Sequence, residues 1–138
     1  MSHFEIFGSY LVGNLVLLMV LTVAVIRFRF GNRISIGDGG ESVLAHRVRA
    51  HGNFVECAPL HLIAMLSMMQ LGTSSLMLHV VGASFLVGRV LHAWGITRPD
   101  ASNLARQIGT VLTLLSFVIA IVYLVLLIVS SRGSYGIS

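Results

Sequence analysis

The sequence predicts an all-α, polytopic membrane protein built as a bundle of four transmembrane helices. Three observations carry that expectation. Of 138 residues, 56% are hydrophobic and only 10% are charged, and a mean hydropathy of +0.91 is too apolar for an ordinary soluble domain. Stretches 6–26, 57–88 and 107–131 contain no Asp, Glu, Lys or Arg. A helix needs about 20 apolar residues to cross a bilayer, so the middle stretch is too long for one crossing. The turn formers Gln70-Leu71-Gly72-Thr73-Ser74-Ser75 divide it. Four spans follow, near 6–28, 42–70, 75–95 and 103–129, within one domain covering 1–138.

The first span lacks a positive leading region and is too long for the core of a secretory signal, so it is expected to be retained. Arg27-Phe28-Arg29-Phe30 closes it as a cationic and aromatic interface anchor. Gly31-Asn32 and Gly37-Asp38-Gly39-Gly40 make the loop, and Asp38 or Ser42 is expected to cap the next helix. The second span starts as an amphipathic helix at Ser42 and turns wholly apolar after Glu56. Pro59 lacks the amide that would bond to the carbonyl of Val55, so a kink is expected near Glu56. Membrane helices tolerate such prolines. The third span ends with Arg89, His92 and Trp94, the turn Arg98-Pro99-Asp100 follows, and the fourth runs from Asn103 to Val129. Trp94 and Tyr135 are expected at the interfaces.

All nine cations are arginines. The planar guanidinium suits bidentate recognition of carboxylates, where lysine would act as a point charge. The pI near 10.2 reflects arginines beside apolar spans, which set membrane orientation and make lipid, not nucleic acid, the anionic neighbour. Arg27, Arg29, Arg33, Arg47, Arg49, Arg89, Arg98 and Arg106 flank two loops, and only Arg132 lies on the other side. Both termini are therefore expected outside the cytoplasm. The single Cys57 precludes an intramolecular disulfide. The six histidines include no HExxH pair, so no metal site is expected. His61 and His79 read as helix contacts, and Met65, Met68 and Met69 as packing groups.

His46, Arg49, Asn53 and Glu56 are spaced three and four apart, which puts them on one helix face where the second span enters the membrane. Charge at that depth costs roughly 2.5 to 3.5 kcal/mol on insertion scales. Two readings stand: an ion pair that orders helices, with Asn53 bonding between them, or a site for a small zwitterion bearing carboxylates and an ammonium. Gly88-Arg89-Val90-Leu91-His92 forms a second cluster, with Arg106 across the loop. A cationic pocket of that kind lowers the pKa of a bound thiol and favours its thiolate. Arg29 and Arg98 fit snorkelling to headgroups. Arg89 follows a long neutral run, so a partner inside the protein is expected.

The run Arg49-Ala50-His51-Gly52-Asn53-Phe54-Val55-Glu56, then Pro59, then Val87-Gly88-Arg89-Val90-Leu91-His92, resembles the MAPEG family, the membrane-associated proteins of eicosanoid and glutathione metabolism. The resemblance covers nearly the whole chain and is strongest to the microsomal prostaglandin E synthase, microsomal glutathione transferase and short bacterial types. It implies a homotrimer in a bacterial inner membrane that binds glutathione as cosubstrate between neighbouring subunits. Carried over by position, Arg27, Arg49, His51, Asn53, Glu56, Arg89 and His92 would bind glutathione, with Glu56 on its ammonium and arginines on its carboxylates. Arg106 would be catalytic, holding the thiolate. The implied function is glutathione-dependent transfer or peroxide reduction on lipophilic substrates, and the alternative is a noncatalytic membrane scaffold that keeps the fold. The chain departs from the family at Gly52, Cys57, Ile96 and Thr110, where arginine, tyrosine or another aromatic residue occurs in other members. Fewer ligand contacts are expected as a result.

Overall fold

The computed structural model describes residues 1–98, 100 and 102–135, the last four as backbone. Pro99 of the expected turn, and the side chains of Arg132 and Tyr135, lie outside the described residues. Four helices follow in order: α1 (His3–Asn32), α2 (Ser42–Gln70), α3 (Ser75–Ile96) and α4 (Leu104–Tyr135). Each contains a segment long and apolar enough to cross a membrane. With 22 residues, α3 is about 33 Å long at 1.5 Å per residue, close to the thickness of the hydrocarbon core. The 30 residues of α1 and 29 of α2 are longer than that thickness requires. Aliphatic side chains such as Val16, Val20, Leu114 and Val118 stay exposed, as expected where lipid replaces water as the solvent.

Ser2 starts α1 with a reciprocal capping box: its hydroxyl accepts from Glu5 N–H, and the Glu5 carboxylate accepts from Ser2 N–H. The helix runs past the expected end at residue 28 and stops at Arg33, whose φ of 55° is left-handed and whose N–H bonds back to Arg29 and Phe30. Arg29 does not reach outward. Its guanidinium donates to the carbonyls of Ser35 and Gly37 at 3.2 and 3.1 Å and holds the loop against the helix end. The cap of α2 also differs from expectation. Glu41 occupies the N-cap without a side-chain bond, Ser42 is already helical, and Asp38 instead accepts from Gly40 N–H within the loop. Helix α2 continues through Pro59. Gly72, at φ +81°, makes the tight α2–α3 turn, and Ser74 caps α3 by accepting from Met77 N–H.

Helices α2 and α3 occupy the middle of the bundle, α1 packs on both, and α4 packs on both without meeting α1 among the described residues. One core cluster joins Ile6, Met65, Met68, Leu78, Val81 and Ala120; the other joins Leu21, Ala50, Phe54, Phe85 and Ile96. Between them, His61 is wholly buried, stacked on Phe85 with centroids 3.8 Å apart. Its Nε2 lies 2.7 Å from Ser116 Oγ, and the Ser116 hydroxyl donates to the Val81 carbonyl at 2.9 Å. With that hydroxyl proton committed, Nε2–H must be the donor, and the imidazole is the Nε2–H tautomer.

The tightest contact joins α3 and α4. A Cβ on Gly88 would lie 3.0 Å from the Gly109 carbonyl oxygen and from Thr113, and a Cβ on Gly95 would lie 2.5 Å from Arg106 N. A Cβ on Gly109 would strike the backbone nitrogen of His92. Gly109, Thr113, Ser116 and Ala120, all buried and spaced four, three and four, form a small-residue seam that lets the two backbones approach. Gly109→Ala should therefore destabilise the bundle by about 1–3 kcal/mol, the usual range for overpacking. Gly52, with nothing within 4 Å of its would-be Cβ, should instead gain stability on change to Ala, by up to about 1 kcal/mol. Thermal unfolding of the two variants in one detergent checks the opposite signs.

Candidate functional site

The antiparallel register of α3 and α4 brings the sequence-derived cationic cluster together. Gly95 packs on the main chain of Arg106, and Gly109 packs on the main chain of His92. Asn103 fixes the start of α4: its Oδ1 accepts from Arg106 N–H at 3.1 Å, and its Nδ2 donates to the Gly95 carbonyl at 2.8 Å. One asparagine thereby ties the end of α3 to the turn that presents Arg106.

Arg89 and His92 sit one helical turn apart on the buried side of α3, only 3% and 7% exposed. Arg89 Nη2 lies 3.3 Å from His92 Nδ1, while Arg89 Nε has no hydrogen-bond partner. Glu56 and Cys57 of α2 lie within electrostatic range of Arg89. Arg89 and Arg106 both lie within electrostatic range of His92. Three helices thus contribute to one charged cluster: α2 its carboxylate, α3 a guanidinium and an imidazole, and α4 a second guanidinium.

On α2, Arg49, Asn53 and Glu56 share one face, with Arg49 and Glu56 exposed and Asn53 half-buried. The stripe opens outward from the subunit, and its Glu56 is the member within electrostatic range of buried Arg89. His51 is turned elsewhere. Its Nε2 lies 3.2 Å from the Thr22 hydroxyl of α1, on the far side of α2 from the stripe. Arg27, near the end of α1, lines the groove between α1 and α3 and is likewise separate from the stripe within one subunit. At the four divergent positions, Gly52 borders open space, Ile96 is buried, and Cys57 packs against the Phe54–Phe85 cluster. The Thr110 hydroxyl donates to the Arg106 carbonyl at 2.9 Å.

A family model described as the MAPEG family matches residues 7–126. The chain belongs to the MAPEG family. Two curated relatives, the inner membrane protein YecN of Escherichia coli K12 and its counterpart from E. coli O6:H1 strain CFT073, are each 40% identical over 86 residues, covering 62% of this chain. The chain spans 66% of the length of those relatives. Four membrane-capable helices, together with inner-membrane relatives, make this MAPEG protein an integral membrane protein.

Sequence reasoning missed Asn103 and Gly95, which contact Arg106, and Gly109 and Thr113, which let α4 meet α3 at Gly88 and His92. The signal was present in the four-three-four spacing of Gly109, Thr113, Ser116 and Ala120, which marks a helix-packing seam. If Glu56 serves as counter-charge to buried Arg89, a double-mutant cycle of Glu56→Gln and Arg89→Gln should return a stability coupling of about 1 kcal/mol. The low end of the range for contacting charges is expected because Glu56 is exposed. Strictly additive unfolding free energies in detergent would separate the two residues.

Proposed function

We propose that this MAPEG protein is a bacterial inner-membrane, glutathione-dependent transferase or peroxidase acting on hydrophobic electrophiles. The observation that carries the reading is buried Arg89, bonded to His92 and within electrostatic range of Glu56 on the outward Arg49–Asn53–Glu56 stripe, with Arg106 within range of the same His92. Glutathione carries two carboxylates, one ammonium and one thiol. The cluster offers guanidinium groups for the carboxylates, a carboxylate for the ammonium and a cationic setting for the sulfur, so the residues fit the ligand. Because the stripe opens outward, a second copy would close it, which supports a homotrimer with glutathione between subunits. Arg27 and His51, apart from the stripe within one chain, would then serve from the α1 side of the interface.

In the proposed conjugation, the Arg106 guanidinium stabilises the thiolate and Glu56 anchors the ammonium end. The sulfur attacks the electrophilic carbon, a sulfur–carbon bond forms, and the leaving group departs with its electron pair. The protein supplies proximity and electrostatic stabilisation. A lipophilic substrate would reach the sulfur through the membrane. A noncatalytic scaffold is the second reading, favoured by Ile96 and Thr110, which leave aromatic ligand contacts of other members unfilled. Glutathione-dependent turnover of a model electrophile by the purified protein separates the two: conjugate formation supports the enzyme, and none supports the scaffold.

Glu56→Gln should weaken glutathione binding while the oligomer stays folded, because the amide keeps shape and loses charge. Arg106→Ala should mainly lower turnover and raise the pH at which thiolate absorbance grows in, toward the free-thiol value of about 8.5. An unchanged thiolate titration would move that role to Arg89 or Arg27. The arginine bias further places both termini on the non-cytoplasmic side. In a Cys57→Ser background, Ser134→Cys should react with a membrane-impermeant thiol reagent in intact spheroplasts; labelling only after permeabilisation would invert the topology.

A further inference from the structure

A groove of about 1050 Å³ runs between α1 and α3 near their arginine-bearing ends, floored by the start of α2 and untouched by α4. Its length is aliphatic, with Leu17 and Val20 from α1 and Val90 from α3. One end is cationic. Arg27, Arg47 and Arg98 line it, and among the described residues no carboxylate does. Two of these arginines are held over aromatic rings. Arg47 donates Nη1–H to the Ala24 carbonyl at 3.0 Å with its guanidinium 5.0 Å from the Phe28 ring centroid, and Arg98 stacks 4.2 Å over the Trp94 ring. A guanidinium has five N–H donors, so one held over a ring with a single carbonyl contact keeps donors for an anionic acceptor.

We propose that this groove is a binding site for an anionic phospholipid, with an acyl chain along Leu17, Val20 and Val90 and the phosphate at Arg47 and Arg98. An aliphatic channel capped by three like charges is complementary to an amphiphile with one charged end, and unlike the α2 stripe it offers no carboxylate to a zwitterion's ammonium. A zwitterionic lipid gains less there, because its own cationic group meets the same arginines. Trp94, the single tryptophan of the chain, lines the groove and marks the interface depth at which the headgroup would sit. The groove shares Arg27 with the proposed glutathione site, and its phosphate-binding pair, Arg47 and Arg98, lies outside that site.

Trp94 makes the test direct. The full chain is reconstituted in vesicles of phosphatidylcholine and phosphatidylglycerol, with brominated acyl chains on one lipid or the other, and quenching of Trp94 emission is compared at equal mole fraction. Brominated phosphatidylglycerol should quench more strongly, and the preference should weaken with salt. Arg98 is exposed at the end of α3, so Arg98→Gln leaves the bundle folded. The ratio of the two quenching constants should fall about fivefold, the share expected of one arginine at a lipid surface. Val90→Phe, which narrows the groove and keeps every charge, should lower quenching by phosphatidylglycerol to the phosphatidylcholine level. Equal quenching by both lipids in the wild-type protein, or a preference that survives Arg47→Gln with Arg98→Gln, would overturn the assignment.

Discussion

The close crossing of α3 and α4 is the constraint on which the charged cluster depends. Helices in lipid gain little by hiding apolar surface from a solvent that is itself apolar, so they associate through backbone approach and hydrogen bonding. Gly88, Gly95 and Gly109 allow that approach by having no Cβ where the partner backbone lies. The crossing sets His92 against Gly109 and Gly95 against Arg106. Asn103 then locks the register, because one side chain both caps α4 at Arg106 and holds the last turn of α3. A larger residue at the crossing would clash with the partner backbone and force the two helices to shift.

That geometry resolves how charge is tolerated inside a membrane bundle. Arg89 is buried beside His92 and within range of Glu56, so its charge is met by dipoles and by a carboxylate on a neighbouring helix. A buried charge with an unfilled donor is costly to retain unless something else accepts from it. Among the described residues of one subunit, the buried Arg89 Nε has no such acceptor, so part of that cost stays unmet there. Toward the other end of the bundle, some polar side chains pair across helices. His61, Ser116 and the Val81 carbonyl form one chain of bonds, and Tyr10 bonds to His79 at 2.9 Å.

Much of the fold was legible because its signal is length: charge-free stretches and one interrupting turn define four helices. Helix ends were harder. Arg27 and Arg29 mark an interface, yet an interface does not stop a helix, and α1 continues to Asn32. The cap of α2 fell to Glu41, because Asp38 spends its carboxylate within the loop. For the charged cluster, the helical period put Arg49, Asn53 and Glu56 on one face, and the long neutral run before Arg89 foretold its burial. The period could not say which neighbour each face meets. His51, two residues from both Arg49 and Asn53, faces α1, and the snorkelling expected of Arg29 gives way to loop carbonyls within its reach. Register between α3 and α4 is a property of two helices, and it was written in small residues that carry no charge.

A structure of the protein in lipid with saturating glutathione would test the central claim most directly. The account predicts tripeptide density against the α2 stripe, with its ammonium at Glu56, a carboxylate at Arg49 or Arg89 and the sulfur beside Arg106, closed over by a neighbouring copy. Tripeptide bound away from Glu56 and Arg106, or no tripeptide in a well-ordered map, would contradict it.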